Sequence, residues 1–415
     1  MIYLDHNATT PLDARVLEAM MPYLQDRWGN PSSPYRFGNQ AKAAVEKSRE
    51  QIADCMGCKP SEIIFTSSGT ESDNLAVRGV VRAVRSHGNH IVTSAIEHHA
   101  LLHTCKALEE DGCRVSNLPV SADGVIRLED LERILKPETI LVSIMHANNE
   151  TGVLQPVEEI AALLKNRGIV FHTDAVQSAG KIPLSLSKLG ADLVSFSGHK
   201  IYGPKGTAAL IVREGTPLDP LITGGPHERG LRAGTENVAG IVGLSKAVSM
   251  AVESLESESK RLQNLRDKLE RRICSELPDV KVNGVGALRV PNTTNLSFDS
   301  VDGESVVLDL DLRGICVSTG SACSTGDPEP SHVLLAMGLA PKQAQGSIRI
   351  SLGRHTREED IDIVVDDLVD TVERLRVISS LARPRMMNTM AKSPGNGDTS
   401  IRGGVSPSTS ELFKA

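Results

Sequence analysis

The chain has 415 residues, of which 40% are hydrophobic but only 3% aromatic, and its formal charge is −7. A chain of that length buries at least one large core and is expected to divide into two domains. The acidic balance argues against nucleic acid as the main partner. No run of about eighteen apolar residues marks a membrane span, and the start, Met1-Ile-Tyr-Leu-Asp-His6, lacks the basic segment and apolar stretch of a signal peptide.

In chain order, residues 1–14 read as an extended arm, followed by an amphipathic helix from Arg15 to Tyr23 that stops near Pro22. After a turn-rich stretch at 28–34, a long helix runs from about Asn39 to Met56. Glu62–Phe65 is a short strand, and Thr66-Ser-Ser-Gly-Thr70 leads from it into a helix reaching about Arg85. Small residues at such a turn let the backbone approach an anion, so Gly69 and Thr70 are read as a phosphate cup or as an ordinary helix cap. His90–Ser94 is the next strand, with Glu97-His98-His99 at its end; a histidine there stacks on a flat ring or is simply hydrogen-bonded. Strands at Val115–Leu118 and Thr139–Met145 flank a helix at Leu128–Leu135, and Asn148-Asn149 follows the second of them.

Two strand ends carry the strongest chemistry. Ile169–Phe171 delivers His172, Asp174 and Gln177, and Leu193–Phe196 delivers Ser197, His199 and Lys200 before a last strand at Ala208–Val212. The repeat of strands and helices predicts an α/β fold with a mostly parallel sheet, whose ligands sit outside the carboxyl ends of the strands. A lysine at such an end loses its proton more easily and can form an imine with an aldehyde cofactor. Asp174 beside it suits the ring nitrogen of pyridoxal phosphate, which must stay protonated to act as an electron sink, and Gln177 can donate to the ring hydroxylate.

The remainder is a glycine-rich loop, Gly224–Thr235, expected to be flexible, then helices from Asn237 to about Cys274. Strands at Val280–Asn283, Thr294–Phe298 and Ile315–Ser318 and a covering helix at Asp360–Leu375 indicate a smaller α+β domain. Seven cysteines, an odd number, do not form a disulfide framework. Cys55-Met-Gly-Cys58 has no second pair to complete a metal site and reads as structural, so no intrinsic metal is expected. Cys323 differs, lying in the small polar run Ser318-Thr-Gly-Ser-Ala-Cys-Ser-Thr-Gly-Asp327 that presents a thiol on a loop. Arg349, alternating with isoleucines in Ser347–Leu352, offers the two parallel donors that hold a carboxylate, or makes a structural ion pair. After Arg383 the sequence is poor in apolar residues and reads as a disordered tail.

These pieces together resemble the cysteine desulfurases of the class V aminotransferase family, fold-type I pyridoxal phosphate enzymes of the nitrogen-fixation and iron–sulfur assembly type. The matching stretches run in family order from Tyr3-Leu-Asp-His-Asn-Ala-Thr-Thr10 through Phe65–Ser72, Glu97-His98, Asn148–Gly152, Asp174–Gln177, Ser197–Lys200, Arg232–Thr235 and Ser318–Cys323 to Arg349–Arg354. The resemblance implies a large domain at 15–257 with a seven-stranded sheet, a small domain made of 1–14 and 258–383, and a tail at 384–415. It implies Lys200, Cys323 and His98 as catalytic residues. Gly69, Thr70, His98, Asn149, Asp174, Gln177, Ser197, His199, Lys200 and Thr235 would bind the cofactor, Thr235 from the other subunit of a homodimer. Asn149 and Arg349 would bind substrate.

The activity so implied converts L-cysteine to L-alanine and a persulfide on Cys323. Its sulfur would go to an iron–sulfur scaffold or another acceptor protein, with nitrogenase one destination and Cys323 a transient cluster ligand. The setting would be cytoplasmic. Two other readings compete: a selenocysteine lyase or aminotransferase of the same family, and a non-catalytic assembly platform. Measuring alanine and sulfide against keto acid separates the three.

Overall fold

The computed structural model describes residues 1–319 and 330–390. The N-terminal arm contains a short strand, β1 (Ile2–Tyr3). The central sheet follows, built from β2 (Ile63–Thr66), β3 (His90–Ser94), β4 (Arg114–Leu118), β5 (Thr139–Ser143), β6 (Val170–Asp174), β7 (Leu193–Ser197) and β8 (Ala208–Val212). Its seven strands lie in the order β2-β8-β7-β6-β5-β3-β4. Strand β8 is antiparallel to β7 and β2, while the pairs β7–β6, β6–β5, β5–β3 and β3–β4 are parallel. This is the mostly parallel α/β sheet that the strand spacing predicts.

The apolar strands are explained by burial on both faces. Successive residues point to opposite sides, so Val92, Val142, Phe171 and Val194 enter one core cluster and Ile91, Leu141, Val170 and Leu193 the other. Burying one such side chain contributes about 1.5–3 kcal/mol. Among the described residues no single helix is long and apolar enough to cross a membrane. The apolar helix Val238–Glu253 is instead packed into the first of these cores through Ile241, Leu244 and Val248.

Beyond Ser254 the chain enters a different core. The helix Leu255–Glu276 packs Leu265, Leu269 and Ile273 with Leu296, Ile348, Ile350 and Leu368. That unit contains an antiparallel sheet of β9 (Val280–Val282), β10 (Thr293–Phe298) and, after β11 (Ile315–Cys316), β12 (Ser347–Ser351), in the order β12-β10-β9. Strand β11 instead pairs in parallel with β1, and Leu4 of the arm is wholly buried in the same core. The two ends of the sequence thus meet in one unit.

The first and last helices run further than the sequence reading. The first helix is Ala14–Gln25 and continues past Pro22. Proline so near the helix end removes one donor without displacing a long run of hydrogen bonds. Asp13 caps the start, accepting from the Arg15 N–H at 3.0 Å. The final helix is Glu358–Met390, beginning two residues earlier than expected and continuing past 384. Its inward stripe of Ile361, Val364, Val365, Leu368 and Val372 fastens it to the second core. Residues 391–415 lie outside the described residues.

Candidate active site

The floor of the site follows from strand register. Strands β6 and β7 run parallel with Asp174 opposite Ser195, so Asp174 ends one strand beside the Gly198–Lys200 turn that follows the other. A Cβ on Gly203 would lie 2.8 Å from the Gly198 carbonyl oxygen, so the tight turn needs glycine there. Lys200 Nζ donates to the carbonyls of Asn7 and Ala8 at 2.6 and 2.7 Å. Asp174 is buried and accepts from the Val176 N–H at 2.8 Å. Burial pushes its carboxyl above the usual range, opposed by that hydrogen bond and by Lys200.

Behind Asp174 lies Asp73, which the sequence reading missed. Burial and then Asp174 drive its carboxyl well up, and its Oδ1 has no hydrogen-bond partner. His172 is 3.6 Å away and held neutral by burial, down to about 3, so the contact is not an ion pair. The His172 ring is instead fixed by Ser143 and Ser195 hydroxyls at 2.7 and 2.9 Å. His98 caps the helix His99–Glu110, its Nδ1 accepting from the Ala100 N–H at 3.1 Å. The proton of the neutral ring therefore sits on Nε2, and burial followed by Lys200 lowers the ring to about 4.

The phosphate cup predicted at Gly69 and Thr70 is the first turn of the helix Gly69–Val84, capped by Ser68. A Cβ at Gly69 would come within 2.9 Å of Val176. Ser197, on the neighbouring strand end, has a buried hydroxyl with no partner. A helix N-terminus, an exposed Thr70 and an orphan hydroxyl, with Ser197 Cβ 3.8 Å from where a Cβ on Gly69 would lie, make a setting of the kind in which helix N-termini take anions. His199 Nδ1 lies 3.1 Å from the Thr9 hydroxyl, and Thr235 is exposed.

The loop preceding Thr235, read as flexible, is braced. Glu228 is buried and accepts from both terminal nitrogens of Arg49, at 2.9 and 2.8 Å, and from the Phe65 N–H at 2.9 Å. Glu228 and Arg229 take left-handed φ of 45° and 57°, strained for side-chain residues and maintained by this anchoring. Arg232, in the same loop, pairs with Glu71 at 2.8 Å.

Across from the floor stands Arg349 on β12. Its two terminal nitrogens reach the Asn149 carbonyl at 3.1 Å and Asp5 at 2.7 Å, while its buried Nε has no partner. Neither Asp5 nor Asn7 is singled out by the sequence reading, yet both sit at the centre of this clamp. Asn7 donates to the Asn149 carbonyl and Thr293 at 3.1 and 2.9 Å, and its own carbonyl accepts from Gln177 at 3.0 Å. Asn148 shapes the turn, its side-chain oxygen accepting from the N–H groups of Glu150 and Thr151, both at 2.9 Å.

Cys323 lies outside the described residues. The segments on either side of 320–329 are fastened to the site. Ser318 exchanges backbone hydrogen bonds of 3.1 and 2.6 Å with Arg349. Ser331 donates to Glu150, and His332 donates to the Glu97 carbonyl at 3.0 Å. Burial pushes Glu150 up to about 7 and Glu97 up to about 8. Among the described residues no group of three His, Cys, Asp or Glu side chains could hold a metal ion.

The chain matches the aminotransferase class-V model over residues 2–364. It is 50% identical over 378 residues to the cysteine desulfurase IscS of Dictyoglomus turgidum, covering 91% of this chain and 96% of that one. A solved NifS-like protein aligns with a TM-score of 0.85 at 42% identity, covering 90% of this chain and 99% of that one. SspA, solved in complex with cysteine, aligns with a TM-score of 0.76 at 38% identity, covering 85% and 99%. The chain therefore belongs to the class-V aminotransferase family, whose members depend on pyridoxal phosphate. Within that family it stands among the cysteine desulfurases. The residues present fit the cofactor: the orphan Ser197 hydroxyl and the close approach at Gly69 suit its phosphate, and the buried Asp174 carboxyl suits its ring nitrogen.

Proposed function

We propose that this cysteine desulfurase carries pyridoxal phosphate on Lys200 and transfers the sulfur of L-cysteine to Cys323, releasing L-alanine. When bound, the cofactor supplies an electron sink for the pair left on the substrate α-carbon. The chain does the rest. Asp174 would hold the ring nitrogen, whose positive charge would relieve the cost of the carboxyl's burial. His98 and Gln177 would hold the ring, Gln177 as a donor to its oxygen. Gly69, Thr70, Ser197 and His199 hold the phosphate, completed by Thr235 from a second copy, so the active unit is a homodimer. Arg349 takes the substrate carboxylate through its unpartnered Nε, with Asn149 beside it.

Lys200 moves the α-proton. The Cys323 thiolate then attacks the substrate sulfur: an S–S bond forms, the C–S bond breaks, and its electron pair stays with carbon until protonation gives alanine. The persulfide leaves for an acceptor protein, with iron–sulfur cluster assembly the destination and nitrogenase one recipient.

The observation that carries this reading is the meeting of Asp174 and the Lys200 turn on adjacent strand ends. Borohydride reduction of the loaded protein followed by mass spectrometry should find the cofactor on Lys200; finding it on another lysine refutes the assignment. C323A should keep the yellow colour but lose alanine release and persulfide formation. Normal alanine release by C323A would remove that cysteine from the mechanism.

A further inference from the structure

Lys181 has no part in the chemistry just described, yet it lies against it. Gly180, with φ +72°, turns the chain there, and a Cβ would come within 2.8 Å of Ile201 and 2.9 Å of Ala251. The turn brings the Lys181 ammonium onto two amide oxygens, Gln177 Oε1 at 2.7 Å and Asn7 Oδ1 at 3.0 Å. The same Gln177 amide donates from Nε2 to the Asn7 carbonyl at 3.0 Å, and that carbonyl also receives Lys200 at 2.6 Å.

Lys181 Nζ donates to both oxygens, so the oxygen of Gln177 faces it and the NH2 points away. The reversed amide would set donor against donor and leave a buried oxygen without a partner. Lys181 thus selects which end of Gln177 is offered to the rest of the site. Burial, and then the facing Lys200 and Arg349, hold the Lys181 amine well below its usual range; burial likewise lowers the neighbouring His6 and His199, with Lys181 adding to it.

We propose that Lys181 is a positioning residue for the cofactor: by gripping Gln177 and Asn7 it keeps the Gln177 NH2 turned towards the ring oxygen and ties the N-terminal arm to the large-sheet unit. The inference rests on the cofactor reading above. Without the Gln177 donor the ring oxygen holds the proton of the adjoining Lys200 nitrogen more tightly.

The test loads wild type, K181M, K181L and K181R with pyridoxal phosphate and titrates the visible absorbance of each against pH. K181M should bind the cofactor with its absorbance midpoint raised by about one pH unit, tenfold in proton affinity. K181R, which still donates to both oxygens, should return the midpoint to the wild-type value. K181M should also shift no further when combined with Q177L, which has no N–H to offer and adds no charge. A wild-type midpoint in cofactor-bearing K181M, or a K181R midpoint displaced as far as that of K181M, overturns the proposal. K181L is read in the same way if K181M does not fold, and failure of both to fold makes Lys181 purely structural and also overturns it. A wild-type protein that takes up no chromophore refutes the cofactor reading itself, a separate outcome.

Discussion

The floor of the site and the clamp opposite it treat charge in contrary ways. On the floor, Asp73, Asp174 and Glu97 are carboxyls taken out of water near one another, and burial raises all three. At the clamp, Arg349 is matched to Asp5 at 2.7 Å and Arg354 to Asp13 at 2.8 Å. Burial without a partner favours the neutral form, whereas pairing favours the charged form. The floor is therefore poised to accept a cation and a proton, and the clamp enters the reaction with its arginines already compensated.

The largest expected effect is on the floor. K200A removes the group proposed to move the α-proton, and turnover should fall by at least about a thousandfold, read as alanine released per mole of bound cofactor. Turnover within tenfold of wild type would transfer the proton step to another residue.

The floor was also the part legible in the sequence. Asp174, Gln177, Ser197, His199 and Lys200 lie at the ends of apolar runs that can only be buried strands, and parallel strands bring their carboxyl ends together. The clamp was not. Asp5 and Arg349 are 344 positions apart, as are Asn7 and Ser351, and no local pattern joins them. Arg349 itself was singled out by its alternation with isoleucines, but not its partners, and Thr235 was reached through family resemblance. Nothing in the local sequence marks Lys181, because its position depends on a turn at Gly180. The braced Gly224–Thr235 loop was misread since its anchor, the Arg49–Glu228 pair, spans 179 positions.

The next effect separates the two regions by the sign of their pH dependence. Glu97 has a folded-state pKa near 8, above its unfolded value, so its contribution is fully favourable below about pH 4.5 and is lost as pH rises through 8. E97Q cannot titrate. Relative to wild type, E97Q should therefore gain a few kcal/mol of stability between about pH 5 and pH 9, measured by urea unfolding at each pH. A constant difference across that range would mean that Glu97 is already ionised in the folded protein.

At the clamp, R349A should weaken binding of L-cysteine by about 2 kcal/mol, roughly thirtyfold, the usual worth of a charge-assisted hydrogen bond. Cofactor content and colour should be unchanged, because the proposed role of the guanidinium is towards the substrate carboxylate and not the ring. Ethylamine, which lacks a carboxylate, should perturb the cofactor spectrum equally in R349A and wild type. Equal loss for both ligands would show that Arg349 supports the fold and does not read the carboxylate.

The smallest effect belongs to Asp13 and has the opposite pH sign to Glu97. Asp13 caps the first helix through the Arg15 N–H and joins the arm to Arg354, which also lies over the Tyr202 ring at 4.5 Å. The hydrogen bond from Arg15 leads in holding its carboxyl well below the usual range, with Arg354 adding to it. A depressed carboxyl contributes stability above its unfolded value, about 4, and loses it as pH falls further. Asparagine caps a helix as well as aspartate does, so D13N removes the charge while keeping the cap. Because Arg15 is largely exposed and salt screens such pairs, D13N should cost only about 0.5–1 kcal/mol at pH 7. The difference from wild type should shrink in high salt and shrink again as pH falls below about 4, towards the far lower pH at which Asp13 loses its charge in the folded protein as well. Urea unfolding of wild type and D13N at pH 7 and in acid, each at low and high salt, measures all of this. A cost that stays constant on acidification would assign the role of Asp13 to helix capping geometry and leave Arg349–Asp5 as the pair on which the clamp's charge balance rests.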